Sequence, residues 1–104
     1  MIEILHIEDN TGDRLIIKEY LGAIENLAAE ITPAANLKEG KEHLRTRDFD
    51  LILLDLGLPD AQGTEGVEEL IAINNELLII VLSGNERKEI AYEAIEKGAE
   101  DFFK

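Results

Sequence analysis

Cysteine is absent from the 104-residue chain. That excludes a disulfide framework and a thiolate metal site, so the fold must rest on apolar packing, as suits the cytosol. Basic residues are scarce: Lys and Arg number 10 against 23 Asp and Glu, for a formal net charge of -13. A surface this acidic repels phosphate backbones and anionic lipid, which argues against direct nucleic-acid binding and against membrane association. Long hydrophobic runs are missing as well. The longest, Leu77 to Leu82, is far too short to span a bilayer. The opening Met1-Ile2-Glu3-Ile4 carries an acidic residue where a secretory leader would be basic. The expectation is a soluble, untargeted cytoplasmic chain.

Hydrophobic residues nevertheless make up 45% of the chain and are spread along it, which argues against disorder. Residues 1–104 read as one domain, long enough to bury roughly two-thirds of the surface exposed by the unfolded chain. Five apolar segments read as strands: Ile2 to Ile7, Ala28 to Thr32, Leu51 to Leu54, Leu77 to Leu82, and Phe102-Phe103. The third and fourth are nearly continuous Leu, Ile and Val, the pattern of parallel strands covered on both faces.

Helical spacing fills the intervals. Leu15, Ile17, Leu21 and Ile24 mark the apolar face of a first helix. A second starts at Asn36, with Glu39 three residues on as in a capping box. Val67, Leu70 and Ile71 mark a third. A fourth presents Ile90, Ala91, Ala94 and Ile95 before Gly98, a natural C-terminal cap. Strand and helix alternate, which with right-handed crossovers gives a doubly wound parallel α/β sheet of five strands in the order 2-1-3-4-5. Nothing follows strand five within the 104 residues, so the expected fold ends there, lacking the final helix that would cover that edge.

In such sheets ligands bind beyond the carboxyl ends of the strands, where the strand order switches direction. Strand one ends in Glu8-Asp9, strand three in Asp55 and strand four in Ser83. Three carboxylates thus converge with a hydroxyl beside them. Clustered carboxylates repel one another unless a cation compensates, and Mg²⁺, which takes a few oxygens and can share those of a phosphoryl group, suits the place. Asp55 is then positioned to attack phosphorus as a nucleophile. Taken singly, Glu8-Asp9-Asn10 and Thr11-Gly12-Asp13 also serve as a polar turn capping the first helix.

Four motifs in order now carry a resemblance: Ile7-Glu8-Asp9-Asn10; Asp55-Leu56-Gly57-Leu58-Pro59-Asp60 with Gly63; Leu82-Ser83-Gly84; and Gly98-Ala99-Glu100-Asp101-Phe102-Phe103. Together the chain resembles the receiver domains of response regulators along its whole length, with a flavodoxin-like fold. The resemblance implies that Asp55 is the phosphoacceptor. Asp9 would ligate Mg²⁺ directly and Glu8 largely through water, with Asp55 and the backbone carbonyl of Gly57 completing the protein ligands. Ser83 would hydrogen-bond the bound phosphoryl, and Phe102 would be the switch aromatic that rotates inward as that hydroxyl moves. Glu8 stands where Asp is commoner, and Ser83 where many members have Thr.

The family's phosphate-binding lysine falls, counting from Gly98-Ala99, one place beyond Lys104. Neighbouring residues in a strand face opposite sides of the sheet, so Lys104 is not assigned that role. His6 and His43 read as structural. The resemblance further implies a histidine kinase or phosphotransfer protein as partner, an output domain or effector, and no enzymatic activity beyond assisting the domain's own phosphorylation and dephosphorylation. The uncovered edge of the sheet would favour a homodimer.

Three other functions compete. A phosphohydrolase of the haloacid-dehalogenase type needs a second Asp two residues after the nucleophile, where this chain has Gly57. A flavin-binding module would want a phosphate loop where Glu8-Asp9 stand. An unphosphorylated pseudo-receiver serving as a protein-interaction module is the nearest rival, disfavoured by retention of all three carboxylates and Ser83.

Overall fold

The computed structural model describes residues 1–24, 26–82 and 88–103, with side chains described except at 88, 91, 102 and 103. Its strands are β1 (Ile2–Ile7), β2 (Ala29–Ala34), β3 (Leu51–Asp55), β4 (Gly57–Leu58), β5 (Ala61–Gln62), β6 (Ile79–Leu82) and β7 (Asp101–Phe103). Its helices are α1 (Thr11–Gly22), α2 (Leu37–Thr46), α3 (Glu65–Ile73) and α4 (Lys88–Glu96). Five parallel strands form the main sheet in the order β2-β1-β3-β6-β7, the expected 2-1-3-4-5 once the two-residue strands β4 and β5, which pair with each other, are set aside. The fold is the doubly wound, flavodoxin-like α/β arrangement. Sequence reading missed the small hairpin because strands of two residues carry no periodicity.

Pleating divides the core. Leu5 and Ile7 of β1 lie level with Ile52 and Leu54 of β3, which lie level with Ile79 and Val81 of β6. All six are essentially inaccessible and pack with Leu37 of α2, Val67 and Leu70 of α3 and Ala94 of α4. The alternate residues of β1, Ile4 and His6, are buried on the opposite face, where α1 lies. Two glycines set the spacing between α2, α3 and the sheet. A Cβ on Gly40 would press into Ile7, and one on Gly66 would meet Leu54 Cδ2 at 3.2 Å. Helix α4 closes with a Schellman motif: Ala99 N–H donates to Ala94 O at 3.0 Å and Gly98 N–H to Ile95 O at 3.1 Å, with Gly98 at φ 127°.

Four expectations are corrected. The second strand runs Ala29–Ala34 rather than Ala28 to Thr32, and the fourth main-sheet strand begins at Ile79 rather than Leu77. Strand β2 sits at the sheet edge, where Pro33 is tolerated because its missing N–H has no inward partner to lose. The apolar face assigned to α1 is also displaced. Leu15 and Ile24 are 55% and 51% exposed, and the residues turned toward the sheet are Arg14, Ile17 and Leu21, all half-buried at helical spacing. In α2 only half of the capping box forms: Asn36 Oδ1 accepts from Glu39 N–H at 2.8 Å.

Candidate functional site

The sheet register builds the site. Ile7 lies opposite Leu54, so one further residue along each strand brings Glu8 beside Asp55 on adjacent strands. Strands β1 and β3 are also where the order reverses, with β2 on one side and β6 on the other. Their carboxyl ends therefore open into the crevice where doubly wound folds bind ligands. Glu8, Asp9 and Asp55 each offer a carboxylate oxygen, and these oxygens all lie within 4.8 Å of one another. Glu8 is 6% exposed, Asp55 half-buried and Asp9 exposed.

Crowding has an electrostatic consequence. Burial, reinforced by the charge of Asp55, pushes the Glu8 carboxyl up from 4.5 to about 8, despite an opposing hydrogen bond from Asn10 N–H to Oε2 at 3.3 Å. Three carboxyls at this spacing, one of them driven to hold its proton, form a set that a hard divalent ion relieves by supplying the missing positive charge. The residues fit such an ion.

The loop carrying the acids is held from two sides. Glu8 N–H donates to Ala34 O at 2.9 Å, continuing the β1–β2 ladder. Arg14 reaches back one helical turn to donate from Nη1 to Glu8 O at 3.2 Å and from Nη2 to Thr11 Oγ1 at 3.2 Å. Asn10 caps α1 by accepting from Asp13 N–H at 2.9 Å. The turn-capping role and the acid cluster thus coexist in one segment.

Beyond Asp55 the chain enters the β4–β5 hairpin. Gly57 is exposed at its start, two residues from Asp55, and Gly63 follows at φ 56°. Asp60 turns away from the acid cluster and accepts from the N–H groups of Leu37 at 2.9 Å and Lys38 at 3.0 Å, the start of α2. A bond across 23 positions leaves no local signal in the sequence. His6, expected to be structural, is indeed buried. Burial, then the Arg14 charge, hold its imidazole below the ordinary range against the pull of Asp55 and Asp13. Ser83 and Lys104 lie outside the described residues. Phe102 pairs with Val81 along β6–β7, and its side chain lies outside the described ones.

An acidic crevice at the switch point of a five-stranded doubly wound sheet places the chain among the small flavodoxin-like α/β folds, and comparison with known proteins narrows the class. The family model of the response regulator receiver domain matches residues 4–104. The chain belongs to that family. It is 32% identical over 102 residues to the KDP operon transcriptional regulatory protein KdpE of Escherichia coli, covering 98% of this chain and 44% of that one. It is 27% identical over 99 residues to the chemotaxis protein CheY of Bacillus subtilis, covering 95% and 81%. Among solved structures, the receiver domain of NtrX from Brucella abortus superposes with a TM-score of 0.85 at 26% identity, covering 96% of this chain and 82% of that one. The chain thus spans less than half of the regulator KdpE and most of the length of CheY.

Proposed function

We propose that this domain is the phosphoacceptor of a two-component system or phosphorelay, with Asp55 as the residue phosphorylated. The observation that carries the reading is the meeting of the Glu8, Asp9 and Asp55 oxygens within 4.8 Å at the carboxyl ends of β1 and β3. Mg²⁺ held by Asp9, Asp55 and the Gly57 carbonyl, with Glu8 acting through water, would supply charge that offsets repulsion between these acids and an incoming phosphoryl group.

The Asp55 carboxylate attacks phosphorus in line. A P–O bond forms to Asp55 as the P–N bond to the phosphohistidine of a kinase or phosphotransfer protein breaks, and the imidazole leaves with that electron pair. A small phosphodonor supplies the same group with a carboxylate as leaving group. Hydrolysis of the aspartyl phosphate by water returns the carboxylate and inorganic phosphate, so the domain assists its own cycle rather than turning over a separate substrate. Ser83 and Phe102 are assigned the switch between the two states, and output is a change of protein partner, output domain or oligomeric state. The setting that suits this chemistry is cytoplasmic, and among the described residues no helix is long and apolar enough to cross a membrane.

Intact-mass analysis after incubation with Mg²⁺ and acetyl phosphate tests the reading, with Asp55→Asn as control. A phosphoryl adduct on the parent and none on the control is expected. An adduct on both would move the acceptor elsewhere. No adduct on either, including after extension of the chain past Lys104, would favour an unphosphorylated interaction module.

A further inference from the structure

Outside the acid cluster, one part of the surface reverses the charge of the molecule. A cleft of about 490 Å³ opens between α1 and the edge strand β2, within the size range of sites for small molecules. Arg14 and Lys18, one turn apart on α1, line it together with the Thr11 hydroxyl and His6, and Glu39 is the single carboxylate on its wall. Leu15, Ile31 and Pro33 form an apolar side. In a chain with 23 acidic and 10 basic residues, two cations against one acid in one concavity runs counter to composition.

The site also contains an unmet polar atom. His6 is 1% exposed, and its Nε2 has no hydrogen-bond partner among the described residues. A buried polar atom left this way is destabilising unless something enters to meet it. Lys18 makes no ion pair among the described residues, since the cation–carboxylate pairs there involve Lys41, Arg47 and Lys97. Arg14 is only partly used: its guanidinium bonds Glu8 O and Thr11 Oγ1, neither of them charged.

We propose that this cleft binds a small amphipathic anion, an apolar body lying along Leu15, Ile31 and Pro33 with a carboxylate or phosphate head held by Lys18, Arg14 and the Thr11 hydroxyl. His6 supplies the polar floor. The inference is independent of phosphorylation, because none of these side chains belongs to the acid cluster. Occupancy would reach the cluster through Arg14, which links the cleft to the Glu8 carbonyl, and through His6, which feels the charge of Asp55.

The test is an NMR titration of the isotope-labelled chain, with Mg²⁺ present, using hexyl phosphate, hexanoate and hexanol as probes. Saturable amide shifts over residues 11–18 and 31–35 are expected with at least one of the two anions and not with hexanol. Lys18→Glu is expected to weaken that binding by about tenfold or more, the size of a lost charge-assisted contact. Lys97→Glu, the same charge change at a distant pair, is expected to leave it within about twofold. Which anion binds identifies the head group. The proposal is overturned by shifts centred on Glu8, Asp9 and Asp55, by hexanol binding as well as the anions, by equal weakening in both variants, or by no saturable shift with either anion.

Discussion

Asp60 and Leu37 are joined across the top of the sheet: the carboxylate of Asp60, in the hairpin that follows Asp55, accepts the Leu37 N–H at 2.9 Å, and its second oxygen accepts that of Lys38 at 3.0 Å. Two N–H groups at the start of α2 are thereby satisfied by a charge of the favoured sign. Asn36 satisfies the next, on Glu39. The loop beyond Asp55 and the α2 N-terminus therefore form one mechanical unit.

Removing that carboxylate should loosen the unit. Asp60→Ala is expected to lower the unfolding free energy by roughly 1 to 2 kcal/mol, the upper part of the range for a lost helix cap. Urea denaturation checks this. Asp60→Asn, which keeps one acceptor oxygen, should fall between the two, and an unchanged midpoint in Asp60→Ala would show the cap to be idle.

Glu8 makes stability depend on pH in a direction set by its raised value. Folding lifts this carboxyl from 4.5 to about 8, so between those values the native protein holds a proton that the unfolded chain has released. In the absence of divalent ion, the Glu8 contribution therefore destabilises progressively as pH rises through that window, and the penalty is complete above about 8. Mg²⁺ should reverse it by favouring the charged form, so stabilisation by the ion should grow with pH. Urea midpoints with chelator and with Mg²⁺ measure both trends. Glu8→Gln should remove this component of the metal-free slope, and an identical slope in that variant would refute the assignment.

Gly40 and Ile7 form a tight helix–sheet contact. A Cβ at Gly40 would stand 2.9 Å from Ile7 Cγ1, and Ile7 is fully buried in the core. Gly40→Ala should destabilise by about 1 to 2 kcal/mol, overpacking outweighing the better helix propensity of Ala. Combining it with Ile7→Val should cost less than the sum of the single changes, and strict additivity in that double-mutant cycle would exclude the clash.

Arg14 acts on the acid cluster through the backbone. Its bond to Glu8 O should make Arg14→Ala weaken Mg²⁺ binding several-fold without removing any ligand. Calorimetric titration of Mg²⁺ reads the effect directly. Arg14→Lys, which keeps the charge but not the paired donors to Glu8 O and Thr11 Oγ1, separates the hydrogen bonds from simple charge. Full affinity in both variants would leave Arg14 no role in positioning the acids.

Much of this was legible before any coordinates. Short hydrophobic runs such as Leu51-Ile52-Leu53-Leu54 read as strands covered on both faces, and the helical spacing between them points to parallel crossovers. Carboxylates written directly after two such runs, Glu8-Asp9 and Asp55, are then delivered to one crevice by topology alone. Local chemistry also announced the Asn36 cap and the Gly98 stop, because each needs only its immediate neighbours.

Tertiary structure decided what depends on which surface meets which. The sequence of α1 offers several apolar stripes, and helical period cannot rank them. Packing turned Arg14, Ile17 and Leu21 inward and left Leu15 and Ile24 in solvent. Likewise, Asp60 finds Leu37 only after β3 and α2 have packed, and His6 loses its hydrogen-bond partners only once α1 covers it. Sequence determined the sheet, its order and the acids at its mouth because these follow from periodicity and strand ends. The partners of Arg14 and Asp60, and the burial of His6 without one for its Nε2, were set by three-dimensional proximity, which carries no trace in local pattern.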